Sequence, residues 1–267
     1  MNKGVVSVLV AYLIWGLYPF YFHAMQHVAP TEIVIHRVLW TFALLAVYLF
    51  CSRRWRWIQK AITDRRTVAV FLMSSVLITA NWSTYTYAIV TNQTLEASLG
   101  YFMNPLVSVL LGTVFLKEKL NKAQMLAIVF ACAGVMWVTF KQGEFPALGL
   151  TLALSFGFYG LVRKMAPLGS LEGLTLETAF AFPVALLATF YFAGNGDLTF
   201  VHGTSWDKFW LIMAGPITTI PLILFAYGLK QVPYSTVGFI QYLSPTMVFF
   251  IGLFFFGEEI NYYICFI

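Results

Sequence analysis

A chain of 267 residues with 60% hydrophobic and only 10% charged side chains is too apolar for a soluble fold, since soluble domains carry roughly 25% charge. A globule of this size has too little interior to hide 26 Phe and 8 Trp, so lipid must be the missing solvent. The formal charge of +5 might suggest nucleic acid, but the placement of the cations argues against it.

A helix needs about 20 mostly apolar residues to cross the hydrocarbon core. Lys3 precedes an apolar run at 4–25, long enough to span and not followed by a small-x-small cleavage site, which predicts an uncleaved first helix. Further spans are expected at 33–51, 67–90, 95–116, 123–140, 147–164, 173–194, 208–230 and 236–256. Alternating apolar and polar residues over ~10-residue stretches are absent, which argues against a β-barrel. Short loops between spans force antiparallel neighbours.

Lys and Arg in the loops set the orientation. On the side of the N-terminus lie Lys3, the six cations between Arg53 and Arg66, Lys117, Lys119, Lys122, Arg163, Lys164 and Lys230; opposite lie Lys141 and Lys208. The N-terminus is therefore expected in the cytoplasm. The basic and aromatic stretch 53–66 joins two spans, so it reads as a topology anchor at lipid headgroups, with Trp55 and Trp57 interfacial, and no nucleic-acid partner is expected.

Shifting the chain by 140 residues aligns YFMNPLVSVLLGTVFLKEKLN at 101–121 with QYLSPTMVFFIGLFFFGEEIN at 241–261. The shared Pro105/Pro245, Gly112/Gly252, Glu118/Glu258 and Asn121/Asn261 carry the weight, because apolar helices match easily by chance. At a shift of 141, Trp15–Tyr18 faces Phe156–Tyr159. Five spans in the first half make the second enter upside down, an arrangement typical of secondary transporters. The expected fold is an all-α integral membrane protein of two inverted five-helix repeats, 1–140 and 147–267. Nine helices are expected to be complete, and the tenth, starting near residue 263, is expected to be a truncated stub.

The strings NKG at 2–4, AYLIWGLYP at 11–19, HRVLW at 36–40, NW at 81–82 and LEASLGYFMNP at 95–105 resemble the RarD branch of the EamA-like drug/metabolite transporter superfamily. FGFYGLVRK at 156–164 and GLTLET at 173–178 extend the resemblance over essentially the whole chain. It implies ten helices, a central cavity between two inverted halves, a multi-pass location in the bacterial inner membrane, and export as the usual direction. The label "chloramphenicol-sensitive protein" carried by members establishes no substrate.

Ionisable groups inside the membrane mark candidate sites. Arg37 and Glu177, repeat-equivalent, lie clearly within spans. Each sits about four residues into its expected helix, roughly 6 Å deep, and the two helices start on opposite faces. Arg37 is therefore expected to meet Glu96 or Glu32, and Glu177 to meet Arg163 or Lys164, as pairs that staple helices or gate access. The candidates for lining a cavity are Trp15, Tyr18, Asn81, Tyr85, Tyr101, Asn104, Tyr159, Gln241 and Ser244. They are polar or aromatic, and several flank Pro105 or Pro245, each of which frees a carbonyl that lipid would not satisfy. The competing reading is hydrogen bonding between helices, with no ligand.

His23 and His27, four apart, lack a third ligand and are expected at the interface. Cys51, Cys132 and Cys265 have no ligand spacing, so neither disulfide nor metal is expected. With no phosphate loop, no Asp-rich motif and no plausible triad, neither ATP use nor an enzyme is expected, and no cofactor. A small-molecule transporter in the bilayer is the leading reading. A non-transporting membrane subunit or inactive truncated transporter is the alternative.

Overall fold

A computed structural model describes residues 2–91, 93–142 and 145–256. The expected tenth helix, with Glu258 and Asn261, lies outside the described residues. The described secondary structure is helical throughout.

The first expected span is two helices, α1 (Lys3–Gly16) and α2 (Tyr18–Ala24), meeting at Leu17. Pro19 explains the break, because it lacks the N–H that would reach the carbonyl of Trp15. α3 (Pro30–Ser52), the short α4 (Arg56–Thr63), α5 (Arg65–Val90), α6 (Thr94–Phe115) and α7 (Lys122–Gln142) complete the first half. The second runs α8 (Ala147–Met165), α9 (Ser170–Gly194), the one-turn α10 (Thr199–His202), α11 (Ser205–Leu229), α12 (Tyr234–Gln241) and α13 (Leu243–Phe255). The last expected span is likewise two helices, interrupted at Tyr242, where Pro245 leaves the carbonyl of Gln241 without its partner. Its counterpart α6 passes through Pro105 unbroken.

Among the described residues seven helical stretches are long and apolar enough to cross a membrane, against nine expected spans that all fall on helix. Within α7 the described apolar stretch is Lys122–Trp137. α8 misses because Gly149, Gly157, Gly160 and the terminal Arg163-Lys164 dilute it. It is packed against α5, α6 and α11, and a helix walled by protein needs less apolar surface than one facing lipid. Phe50, Val184, Leu187, Phe190 and Phe254 are all about two-thirds exposed or more, a surface that water would not tolerate.

The packing partners exchange when the halves are exchanged. α1 packs on α11 as α8 packs on α5; α3 on α11 as α9 on α5; α1 on α13 as α8 on α6. α3 meets α9, and α6 meets α12, across the middle. The main core gathers Val8, Val38, Ile78, Val107, Tyr159, Leu222 and Phe225 from both halves.

Helix ends are closed by charges. The Glu118 carboxylate accepts from the N–H groups of Tyr234 (2.6 Å) and Ser235 (2.7 Å) at the start of α12. Glu96 accepts from Leu148 N–H (3.0 Å) as α8 begins, and Glu32 from Thr199 (2.9 Å) and Phe200 (2.7 Å) in α10. In each case an anion satisfies donors that a helix leaves free at its N-terminus. Lys164 Nζ donates to the carbonyls of Leu229 (2.8 Å) and Val232 (2.6 Å) past α11. Lys230 Nζ donates in return to Ala166 and Leu168 past α8. Burial, followed by the nearby Arg163 charge, pulls the Lys230 ammonium below the usual lysine range. Replacing Glu118 with alanine strips two charge-assisted bonds from the α6–α12 crossing, and thermal unfolding of the purified variant should show a loss of about 2–3 kcal/mol.

Candidate functional site

Two polar centres sit between the halves, one around each expected membrane charge. Glu177 is 2% exposed. Its Oε1 accepts from Ser74 Oγ (2.6 Å) and lies 3.4 Å from Arg163 Nε, and its Oε2 accepts from the Tyr159 hydroxyl (3.3 Å). Arg163 is sealed in too: Nη2 donates to Ser170 O (3.0 Å), while Nε and Nη1 are buried without a hydrogen-bond partner. The guanidinium fills space above Gly173, where a Cβ would fall 1.8 Å from Nη1. Lys164, the other expected partner, is committed to α11 carbonyls.

Arg37 does not make the expected pair. The ion pairs among the described residues are His27–Asp207, His36–Glu32 and Arg163–Glu177. Glu96 and Glu32 are held by the N-termini of α8 and α10, which is why neither is available. Arg37 instead donates from Nε to Thr218 Oγ1 (3.0 Å) and sets Cζ 4.2 Å over the Trp82 ring. Both charges also lie deeper than expected, because α3 starts at Pro30 and α9 at Ser170. Seven residues into the helix is roughly 10 Å.

The aromatic candidates divide between these centres. Near Arg37, the Tyr18 hydroxyl donates to Ile217 O (2.8 Å), the carbonyl that Pro221 leaves without its helical partner. Tyr85 and Tyr101 stand edge to face at 5.8 Å, and Phe22 lies 6.1 Å from Tyr85. Tyr101 is 40% exposed, yet it joins, through Tyr85 and Phe22, the aromatic cluster that reaches Tyr18. Its open side borders this aromatic cluster, and we read that opening, beside Arg37, as the mouth of a cleft between the helices. Near Glu177 the corresponding space is filled. Tyr159 is fully buried and stacks on Phe225, and Trp15 packs edge-on against Tyr12, Phe156 and Phe225. A cavity of about 10 Å³ bounded by Trp82, Tyr159, Glu177 and Leu222 lies there, room for about one water. Trp82 borders both this cavity and the Arg37 cleft.

Asn81, Asn104 and Gln241 are not brought to the cleft. Asn81 Nδ2 donates to Leu152 O (3.0 Å) and Ser155 Oγ (3.1 Å). The Asn104 amide, oriented so that its nitrogen donates, reaches the carbonyls of Ala153 and Leu152. Gln241 Oε1 accepts from Ser108 Oγ (3.2 Å). All three join helices. Ser244 is partly buried in α13. Two cleft residues outside the sequence candidates, Trp82 and Thr218, had available signals: Trp82 follows Asn81, and Thr218-Thr219 lies between Pro216 and Pro221 in an otherwise apolar helix.

His27 Nε2 lies 2.8 Å from Asp207 Oδ1, and His23 stacks on Phe256 at 4.5 Å. Among the described residues there is no group of three potential metal ligands.

Comparison with known proteins agrees with this architecture. The EamA-like transporter family matches residues 2–140 and again 146–266. The chain is 41% identical over 265 residues to the uncharacterized transporter YojE of Bacillus subtilis, covering 97% of this chain and 88% of that one. It is 37% identical over 258 residues to protein RarD of Escherichia coli, covering 97% and 87%. A solved crystal structure shares the fold at a TM-score of 0.71, with 14% identity over 99% of this chain and 94% of that one. With family matches to both halves and full-length likeness to RarD proteins, this chain belongs to the EamA-like transporter family and is a multi-pass membrane transporter, not an enzyme.

Proposed function

We propose that the chain is a secondary transporter that exports small molecules across the bacterial inner membrane by alternating access between two inverted five-helix repeats, 1–140 and 147–267. The observation that carries this reading is the unequal state of two equivalent centres. The cleft at Arg37 is open beside Tyr101, while the space at Glu177 is closed by Arg163, Tyr159 and Phe225. A transporter that rocks one half against the other needs this asymmetry, and reversing it would move the opening to the other face. The exchange of packing partners between halves supports the inverted relation. The cations of 53–66 and 117–122 support a cytoplasmic N-terminus, and the Glu177–Arg163 pair then closes the cytoplasmic side.

Single cysteines introduced at Tyr101 and Gln241, with Cys51, Cys132 and Cys265 replaced by serine, test both topology and state. A membrane-impermeant maleimide added outside the cell should label position 101 and spare 241. Cysteines at 60 and 120 should react only from the cytoplasmic side. External labelling at 60 or 120 would overturn the inverted arrangement, and absence of any solute flux in proteoliposomes would leave a non-transporting membrane subunit.

A further inference from the structure

We infer that Arg37 is the anchor of a substrate subsite for a small monocarboxylate with an aromatic or branched apolar body. The inference rests on the transport reading, because it takes the open cleft as the place where cargo binds.

Arg37 is 91% buried, being 9% exposed, yet no carboxylate lies within ion-pair distance of it among the described residues. Burying an ion costs several kcal/mol even after relaxation. The stack on Trp82 returns part of that cost, and one bond to a neutral hydroxyl returns less than a charged partner would. Arg163, of the same chemistry, has its carboxylate. A bare guanidinium is therefore a cost without a structural return in this state.

Geometry shows where the missing anion would sit. Of five guanidinium N–H donors, Nε is spent on Thr218. The buried side-chain atoms without partners include Arg163 Nε and Nη1 but neither Nη of Arg37, and among the described ion pairs neither Nη meets a carboxylate; these terminal nitrogens are the edge on which an anion would sit. A carboxylate accepts two parallel bonds from such an edge. Tyr18, bonded to Ile217 O beside the Thr218 that holds Arg37, and the edge-to-face pair Tyr85 and Tyr101 supply ring surface for an apolar body.

Charge matching narrows the class. One cation neutralises one negative charge, and a dianion such as phosphate would carry its second charge into the cleft unpaired. A zwitterionic amino acid would bring an ammonium group, but Glu32 and Glu96 are occupied by helix N-termini. A simple monocarboxylate leaves nothing uncompensated.

Purified full-length protein in detergent, unfolded thermally with phenylacetate, phenylacetamide or inorganic phosphate present, tests this directly. Phenylacetate well above its dissociation constant should raise the midpoint by about 2 °C or more, while the neutral amide and phosphate should not. Phenylacetate affinity should fall about 10- to 100-fold in Arg37→Gln and less in Arg37→Lys, which keeps the charge but not the two-pronged edge. Equal shifts from phenylacetate and phenylacetamide, or no shift from phenylacetate in the wild-type protein, would overturn the subsite whether or not the variants fold. Phenylacetate binding without flux in proteoliposomes would leave the subsite standing and sink the transport reading. Flux of other solutes with no carboxylate binding would do the reverse.

Discussion

Replacing Arg163 with alanine should lower the unfolding midpoint of the purified protein by on the order of 10 °C, corresponding to a loss of about 3–5 kcal/mol. The size follows from what would remain. Glu177, 2% exposed, would keep its bonds from Ser74 and Tyr159 but lose the only cation beside it among the described ion pairs. Removing one member of a buried pair costs more than the pair itself contributes, because the survivor stays charged and out of water. The double variant Arg163→Met with Glu177→Gln should therefore be more stable than Arg163→Ala alone. The glutamine carbonyl can still accept from Ser74, and no charge is stranded. Thermal unfolding of the three proteins forms the test. Losses that simply add would mean that the two residues are not coupled, and neither would then close the cytoplasmic side.

Gly100→Val should cost at least about 3 kcal/mol, at the upper end of overpacking penalties or beyond. A Cβ at Gly100 would lie 2.8 Å from the carbonyl oxygen of Gly149 and 2.9 Å from its Cα. Reciprocally, a Cβ at Gly149 would lie 2.8 Å from Glu96 O. Backbone faces backbone, so no rotamer change relieves the clash, and α6 and α8 must separate. The bonds from Asn104 to α8, and from Leu148 to Glu96, span that same seam and would weaken with it. Gly194→Ala is the control: nothing lies within 4 Å of its added Cβ, and its effect should stay within about 0.5 kcal/mol. Size-exclusion profiles and unfolding midpoints distinguish the two. A monodisperse Gly100→Val protein with an unchanged midpoint would show the helices to be less tightly apposed than described.

The positions of the spans were legible because hydrophobic length is a local property. All nine expected segments fall on helix, and Pro19 and Pro245 mark the two interruptions in plain view. Their consequence was not legible: Pro105 leaves α6 continuous, whereas Pro245 accompanies a break, and the proline alone does not distinguish the two. α8 was read correctly as helix, but its modest apolarity makes sense only from its place among α5, α6 and α11.

The two intramembrane charges stood out in the sequence because ions in lipid are rare, but their partners depended on competition across the fold. Glu96 and Glu32 lay within sequence reach of Arg37, and only the tertiary structure gave them to the N-termini of α8 and α10, whose unpaired N–H groups hold an anion without requiring a second buried ion. Composition and periodicity determined the solvent, the helices and the repeat, since each depends on side chains close together in the chain. The choice of which charge is paired, which is left without a carboxylate and which end of the bundle is open belongs to contacts between different helices, from Arg163–Glu177 to Glu32–Thr199 and Arg37–Thr218, and packing decided it.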